Sequence, residues 1–247
     1  MPSSAGIDLN SNWGYKWRPG RSTSACSDSY PGKKAFEAYE TRSMANYLAN
    51  GTTWRPDKPD ALSDGEKKPP RRVRAFVDLH SYGQLCEASG RRWVMIKLIE
   101  AVMFPFAHSC DDFPPDAEML MEAGLGVAKA MRRQQGEGYQ AGQACDLTYR
   151  YVRFRCLLCT AQSTCRRAPG DAIDFSYGVT DVQWSYSAEL RDTGTVSFRS
   201  LHISYPRAED GQYGFLLPPN LIRPTGEEVT AGLLYLAKFI YDVEIAG

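Results

Sequence analysis

The feature that most constrains this chain is a short run, RVRAFVDLH, at residues 72–80. Its apolar residues alternate along the chain, and Phe76 adds an apolar side chain to the opposite face near the middle. Apolar residues on both faces are typical of a strand buried in the centre of a sheet. The run therefore predicts a central strand that ends at His80.

Helical periodicity predicts three helices around strands of this kind. The first covers AFEAYETRSMANYLAN, with Gly51 following as a stop signal, and the second runs from about Asp116 to Arg133. The last helix is predicted to open at Thr225, with Glu228 completing a capping box. Strands interleaved with helices predict an α/β fold built in layers.

A second strand is predicted in DVQWSYSAELRDTG, where Trp184, Tyr186 and Ala188 alternate inward and Glu189 ends the run. Ligands of open α/β sheets gather at the carboxyl ends of the strands. His80 and Glu189 both occupy such ends, so one interpretation places them in a shared site. The other makes His80 a hydrogen-bonded strand-end histidine and Glu189 a solvated carboxylate.

The charge balance narrows the classes of partner. Lysine plus arginine number 29 and aspartate plus glutamate also number 29, so no net field attracts nucleic acid or an acidic membrane surface. No stretch approaches the roughly 20 apolar residues that a membrane span needs, and MPSSAGIDLN lacks the order of a signal peptide. We therefore expect no nucleic-acid partner and no membrane partner.

The cysteines indicate no structural zinc knot. The chain has seven, and CLLC at Cys156 and Cys159 has no matching pair. Cys110 and Cys145 could form a disulfide in a secreted protein, although sequence alone does not define the pairing.

Five segments together point to a known family: GIDLNSNWGYKW, LHSYGQL, APGDAIDFSYG, SYSAELRDTG and YGFLLPPNLIRPTGEE. In this order, and over nearly the whole chain, the sequence resembles zinc carboxypeptidases of the carboxypeptidase A type. The resemblance implies a single α/β domain with a mixed, twisted sheet sandwiched between helices. It also implies a zinc-dependent enzyme that releases single amino acids from the C-termini of peptides or proteins.

The resemblance assigns roles to particular residues. His80 matches the second histidine that binds zinc, and Glu189 matches the general base that deprotonates the zinc-bound water. Five further positions match substrate-binding residues: Asn10 for the terminal carboxylate, Tyr149 for the mobile tyrosine, Ser81 and Tyr82 for the cleft, and Ile173 for the pocket floor. Without the resemblance, Tyr149 would be an ordinary core tyrosine. An apolar Ile173 predicts a preference for hydrophobic terminal residues.

The chain departs from the family pattern at the metal. The other two zinc ligands of the family come from a His-x-x-Glu motif, whereas His80, His108 and His202 are the histidines here and none has glutamate three residues later. We expect residues 1–247 to be the C-terminal two-thirds of one catalytic domain, incomplete at the N-terminus and inactive as given. A site made from His80, His108 and Asp111 is a less favoured alternative, with His108 more simply structural.

A second departure lies beside Asn10. The family usually carries an arginine at the position of Ser11, where it pairs with the substrate carboxylate. Its loss would weaken carboxylate binding by about 1.5–3 kcal/mol.

Three stretches, at about 86–102, 151–167 and 195–212, interrupt the resemblance. Removing each one restores the family pattern, and compact domains rarely gain three such loops around one site. We interpret them as translated introns. A transcript that contains the codons for residues 86–102 would contradict this interpretation.

Two functions remain open from sequence. The leading one is an incomplete metallocarboxypeptidase, whose full-length parent is expected to be a monomer secreted to the extracellular space. The alternative is a pseudoenzyme that binds peptide C-termini without cutting them, although retention of Glu189 argues mildly against it. Absent strands would leave unpaired sheet edges, so poor solubility is also expected.

Overall fold

A computed structural model gives the structure of most of the chain and describes residues 6–19, 25–27, 29–49, 73–81, 100–136, 138–150, 168–191 and 217–246. Two of the predicted inserts, at 151–167 and 195–212, lie outside the described residues. The first insert is described only at its end. There, Ala101 and Val102 are buried strand residues.

The described strands form one mixed sheet. They are β1 (Ala75–His80), β2 (Ala101–Phe104), β3 (Gln140–Gln143) and β4 (Trp184–Glu189). The order is β1-β4-β2-β3, in which β1 runs parallel to β4, β4 antiparallel to β2, and β2 parallel to β3. The prediction of a mixed sheet is confirmed.

The three predicted helices are present, and the described residues add one short helix and two helical turns. The helices are α1 (Tyr39–Leu48), α2 (Ala117–Gln135), α3 (Ala172–Gly178) and α4 (Pro219–Glu244). The turns are a 3-10 turn at Leu9–Ser11 and a π-helical turn at Asp146–Arg150. α1 buries Thr41, Ala45 and Leu48, as its periodicity predicts.

The predicted start of the last helix is wrong. α4 begins at Pro219 and accommodates Pro224 within its first turns. Thr225 therefore lies inside the helix, where its hydroxyl donates to the Leu221 carbonyl at 2.9 Å. Glu228 is fully buried and binds other residues, so the two side chains do not form a capping box.

Helices cover both faces of the sheet. α2 and α4 pack on one face in a core that includes Val102, Leu120, Tyr186 and Leu236, with Val77 of β1 against it. Since successive strand residues alternate between faces, the neighbouring Phe76 packs on the opposite side. The cluster on that side is contributed mainly by α1, α3 and the segment before α1: Trp13, Phe36, Ala45, Leu48, Ala49, Ala172, Phe175 and Val179.

Among the described strands, β1 has one neighbour in the sheet, whereas a central strand has two. Within the described residues it lies at one end of the sheet, with β4 as its neighbour, and most of its side chains are half-buried. The prediction of a central strand is therefore not met by these residues. The apolar side chains on its two faces are explained by the two helix layers that pack above and below.

A disulfide joins the segments that follow β2 and β3. Cys110 and Cys145 are bonded, with their Cα atoms 5.1 Å apart. The sequence left this pairing open, and the structure supplies it. No helix in the described part of the chain has the length and apolar character that crossing a bilayer would require.

Candidate functional site

Two parallel strands bring His80 and Glu189 to the same edge of the sheet. The register of β1 and β4 pairs Ala75 with Trp184 at one end and His80 with Glu189 at the other. The Leu190 amide then donates to the His80 carbonyl at 2.7 Å, which continues the ladder one residue further. The two strand ends that sequence analysis singled out are therefore neighbours.

His80 is held by a carboxylate on its own strand. Its Nε2 lies 2.9 Å from Asp78 Oδ2, because residues two apart on a strand share a face. The hydrogen bond to Asp78 raises the pKa of His80 to about 9, and the charges of Asp78, Glu189 and Asp171 add to this against the opposing effect of burial. At neutral pH the imidazole is therefore protonated, and Nε2–H donates to Asp78.

Asn10 lies against this pair and is fixed from two sides. The 3-10 turn that carries it is capped by Asp8, whose carboxylate accepts from the Asn10 amide at 3.2 Å and from the Ser11 hydroxyl at 2.6 Å. The Asn10 side chain accepts from the Ala172 amide at 3.1 Å and donates to Asp171 Oδ2 at 3.3 Å. The side chain at position 11 is thus committed to Asp8.

The contact between Asn10 and His80 is close as well. Asn10 Nδ2 lies 3.3 Å from His80 Nε2. Because a protonated imidazole has no acceptor, this contact is not a hydrogen bond when His80 is charged. Nε2–H is then used by Asp78, and the Asn10 amide keeps the N–H that does not go to Asp171.

Glu189 is poorly solvated. In the described part of the structure, its Oε2 is buried and has no hydrogen-bond partner. Burial raises the pKa of Glu189, although the nearby His80 acts in the opposite direction. A carboxylate in this state is a stronger base than one in water, which fits the role that the resemblance assigns to it.

Asp171 is a site residue that the sequence reasoning missed. It caps α3, with Oδ1 accepting from the Ile173 amide at 2.9 Å, and its side chain is 8% exposed. Burial raises the pKa of Asp171 well above its ordinary value, and the charge of Asp174 adds to the effect. The sequence signal was its position as an aspartate directly before a short helix.

Asp78 was missed too. Its signal was the i, i+2 spacing to His80 within a predicted strand, which places both side chains on one face. Two carboxylates, Asp78 and Asp171, therefore join the set that the sequence predicted.

The structure gives less support to the other residues that were predicted to bind substrate. Ser81 follows β1 directly and is exposed, while Tyr82 and the side chain of Tyr149 lie outside the described residues. Ile173 is 0% exposed and packs in a cluster with Ala101 and Met103. A role for Ile173 at the floor of a pocket stays a prediction.

His108 belongs to a separate, structural cluster. Its Nδ1 lies 2.7 Å from Asp174 Oδ2, and the Ala107 and His108 amides donate to the same fully buried carboxylate at 2.8 and 2.9 Å. The rings of Tyr15 and Phe106 pack against the imidazole. These contacts explain His108 without a metal.

The residues present do not fit a catalytic zinc. Such a zinc takes three protein ligands and leaves one position open. Across the described ranges, no group of three or more histidine, cysteine, aspartate or glutamate side chains could hold a metal ion. The alternative site of His80, His108 and Asp111 is accordingly not formed, and Nε2 of His80 is engaged by Asp78.

The comparisons with known proteins agree on one family. The sequence profile described as zinc carboxypeptidase matches residues 2–232. The chain is 32% identical over 244 residues to the inactive metallocarboxypeptidase ecm14 of Talaromyces stipitatus, covering 97% of this chain and 32% of that protein. It is 29% identical over 245 residues to the inactive metallocarboxypeptidase ECM14 of Saccharomyces cerevisiae, covering 99% of this chain and 43% of that protein. The chain therefore spans less than half the length of these relatives.

Solved structures agree on the fold. Bovine thrombin-activatable fibrinolysis inhibitor, in complex with tick carboxypeptidase inhibitor, superposes with a TM-score of 0.60 at 23% identity, over 96% of this chain and 58% of that one. Carboxypeptidase A from Helicoverpa armigera gives 0.59 at 21% identity, over 97% of this chain and 43% of that one. The mixed sheet between helix layers is thus a carboxypeptidase fold.

Proposed function

This chain belongs to the zinc carboxypeptidase family, and from that premise we propose that it binds the C-terminal residues of peptides without hydrolysing them. The observation that carries the proposal is the meeting of His80 with Asn10, the residue that the resemblance assigns to the terminal carboxylate, at 3.3 Å, while no group of three or more histidine, cysteine, aspartate or glutamate side chains in the described ranges could hold a metal ion.

The absence of hydrolysis is supported by the chemistry of the donors. A catalytic zinc takes three protein ligands, and in the described ranges no group of three or more histidine, cysteine, aspartate or glutamate side chains could hold a metal ion. Relatives that carry the name inactive metallocarboxypeptidase are in keeping with this proposal.

Recognition of a peptide carboxylate is supported by the donors that remain. The family's arginine is replaced by Ser11, whose hydroxyl is bound to Asp8. Protonated His80 keeps Nδ1–H beyond its bond to Asp78, and Asn10 keeps the N–H that does not go to Asp171, so the two side chains retain one donor each. A carboxylate gains most from a charged donor of this kind.

The test compares a labelled peptide that has a free C-terminal carboxylate with its amidated twin, by fluorescence anisotropy on the 247-residue chain. We expect the free acid to bind about tenfold more tightly, the equivalent of one charge-assisted hydrogen bond. Asn10→Ala should reduce this difference, whereas Gln135→Ala, at an exposed amide on α2, should leave it unchanged. Equal binding of acid and amide would refute recognition of the carboxylate.

A second function, peptide hydrolysis, is favoured by Glu189, whose buried carboxylate has the raised pKa of a general base. It is tested by adding zinc and the same free-acid peptide and following the released amino acid by chromatography. Our proposal expects none. Release that falls at least about a hundredfold in Glu189→Gln would instead establish the enzyme.

A further inference from the structure

We propose that the turn formed by Gly170, Asp171 and Ala172 positions Asn10 for binding a peptide carboxylate, and that Gly170 is the residue that lets the turn reach it. The inference rests on the proposed function, in which Asn10 is one of the two donors to the carboxylate. It goes further by giving a role to a glycine to which sequence analysis gave none.

The first observation is the set of hydrogen bonds between this turn and the segment that carries Asn10. The Trp13 amide donates to the Gly170 carbonyl at 2.9 Å, and the Ala172 amide donates to Asn10 Oδ1 at 3.1 Å. Asn10 Nδ2 in turn donates to Asp171 Oδ2 at 3.3 Å. Each residue of the turn therefore holds the segment, and two of the three bonds fix the Asn10 side chain itself.

The second observation is the backbone conformation of Gly170. Its φ of 84° lies in the left-handed region, which residues with a Cβ rarely adopt. The next residue, Asp171, is extended again, with φ −78° and ψ 148°, and caps α3. The left-handed residue therefore lies directly before the two residues that hold Asn10, and their placement depends on it.

The third observation is the lack of space for a side chain at Gly170. A Cβ there would lie 2.7 Å from the Ser11 carbonyl oxygen and 3.0 Å from the Trp13 carbonyl oxygen. Both are backbone atoms, so no side-chain rotation relieves the contact and the segment itself must move. Since Ser11 directly follows Asn10, this movement displaces Asn10 from its place 3.3 Å from His80 Nε2. Binding groups tolerate displacements of only about 0.5 Å.

Gly136 offers a matched control for backbone strain. It ends α2 with a φ of 83°, nearly the same as that of Gly170. Among the described residues, however, no atom lies within 4 Å of a Cβ placed at Gly136. Alanine at either position meets the same left-handed strain, but only at Gly170 does its methyl group push on the segment that carries Asn10.

Ala172 allows a second variant that leaves Gly170 in place. It is the first residue of α3, a position where proline is favoured, and ψ of the preceding Asp171 is 148°, as proline requires of the residue before it. Proline has no N–H, so Ala172→Pro removes the donor to Asn10 Oδ1. It tests the hold of the turn on Asn10 if Gly170→Ala does not fold, and the reverse also applies.

The experiment measures the affinities of a free-acid peptide and its amidated twin for the 247-residue chain by fluorescence anisotropy. The native chain should bind the acid about tenfold more tightly. Gly170→Ala and Ala172→Pro should each bring the two affinities within about twofold, because Asn10 no longer meets the carboxylate. Gly136→Ala should keep the tenfold preference.

A double-mutant cycle separates positioning from a general structural role. If Gly170 acts through Asn10, then Gly170→Ala should leave the ratio of the two affinities unchanged in a chain that already carries Asn10→Ala. A change that only loosens the fold would instead weaken both peptides alike and leave their ratio at about tenfold. The ratio therefore reports on the position of Asn10.

The outcomes distinguish this inference from the proposed function. If the native chain prefers the acid, and a folded Gly170→Ala or Ala172→Pro variant keeps the tenfold preference, the inference is refuted and the proposed function stands. Loss of the preference in Gly136→Ala, or a further loss from Gly170→Ala in the Asn10→Ala chain, also refutes it. If the native chain binds acid and amide equally, or binds neither, the proposed function fails and this inference fails with it.

Discussion

The pKa of His80 follows from one residue, Asp78, which lies two positions earlier on the same face of β1. That hydrogen bond turns a residue type that commonly binds metals into a protonated donor. At the scale of single residues, the site therefore depends on the pair of His80 and Asp78, in which each side chain is the hydrogen-bond partner of the other.

This pair predicts a pH dependence of stability. The pKa of His80 is about 9 in the folded state against an ordinary 6.5, so between these values the folded protein holds a proton that the unfolded chain releases. The stabilisation is complete below 6.5, falls as the pH rises and is lost above about 9. Urea unfolding of the native chain and of His80→Gln should give a difference in stability that shrinks over this range.

Titration of His80 by NMR checks the cause of this pH dependence directly. Asp78→Asn should lower the pKa of His80 toward 6.5, because it removes the charge that holds the proton. A His80 pKa near 6.5 in the native chain, or parallel pH profiles for the native chain and His80→Gln, would contradict the account.

At the scale of single residues, part of the site could be predicted from the sequence. His80 and Glu189 were predicted to end two strands because strand periodicity defines both boundaries well, and their adjacency was one of two interpretations. Asp78 and Asp171 were missed because their roles depend on which other side chains meet them. That depends on the strand register and on the approach of Asn10, which no local pattern encodes.

At the scale of the elements, the segment that directly follows β4 contacts α4, and α4 also contacts the residue before β3. Arg191 Nε lies 3.2 Å from Glu228 Oε2, and the Tyr139 hydroxyl donates to the same oxygen at 3.0 Å. Glu228 is 0% exposed and Arg191 is 6% exposed. This contact fixes the strand that carries Glu189, two residues before Arg191, against the longest helix.

The buried pair predicts a large cost on its removal. Glu228→Gln keeps the shape of the side chain but leaves Arg191 buried beside a neutral group, so the free energy of unfolding should fall by about 3–5 kcal/mol. Its neighbour Glu227 pairs with Arg223 on the exposed face, and Glu227→Gln should cost under about 0.5 kcal/mol. Chemical denaturation measures both, and similar small losses would show that the buried pair does not stabilise the fold.

Secondary structure was predicted best where periodicity was long. α1 and α2 were found because their apolar residues recur at helical spacing. α4 was started too late because Thr225 and Glu228 have the spacing of a capping box, whereas the helix begins at Pro219 and contains Pro224. β3 has the sequence QAGQ, which carries no strand pattern and forms by pairing with β2.

For the whole molecule, the disulfide between Cys110 and Cys145 closes a loop with a sequence separation of 35 residues. A loop of this length predicts that the bond stabilises the folded state by about 3–4 kcal/mol, through the entropy of the unfolded chain. Unfolding of the Cys145→Ser variant should show this loss, while Cys26→Ser, at an exposed cysteine outside this bond, should not. Equal stability of both variants would mean that the bond is not formed in solution.

The fold class was predicted at this scale because the family motifs run through nearly the whole chain in order. The central position predicted for β1 stays a prediction, because apolar residues on both faces of a strand indicate the helix layers, and the described strands place one neighbour, β4, beside it. Poor solubility from an unpaired sheet edge stays a prediction, and a cooperative thermal transition of the 247-residue chain would count against it.

The central claim is that His80 serves a binding site and not a catalytic metal, and calorimetric titration of the chain with zinc at neutral pH tests it most directly. The account predicts no micromolar binding, since no group of three or more histidine, cysteine, aspartate or glutamate side chains in the described ranges could hold a metal ion. Binding of one zinc per chain at micromolar affinity or tighter, lost in His80→Gln, would contradict it.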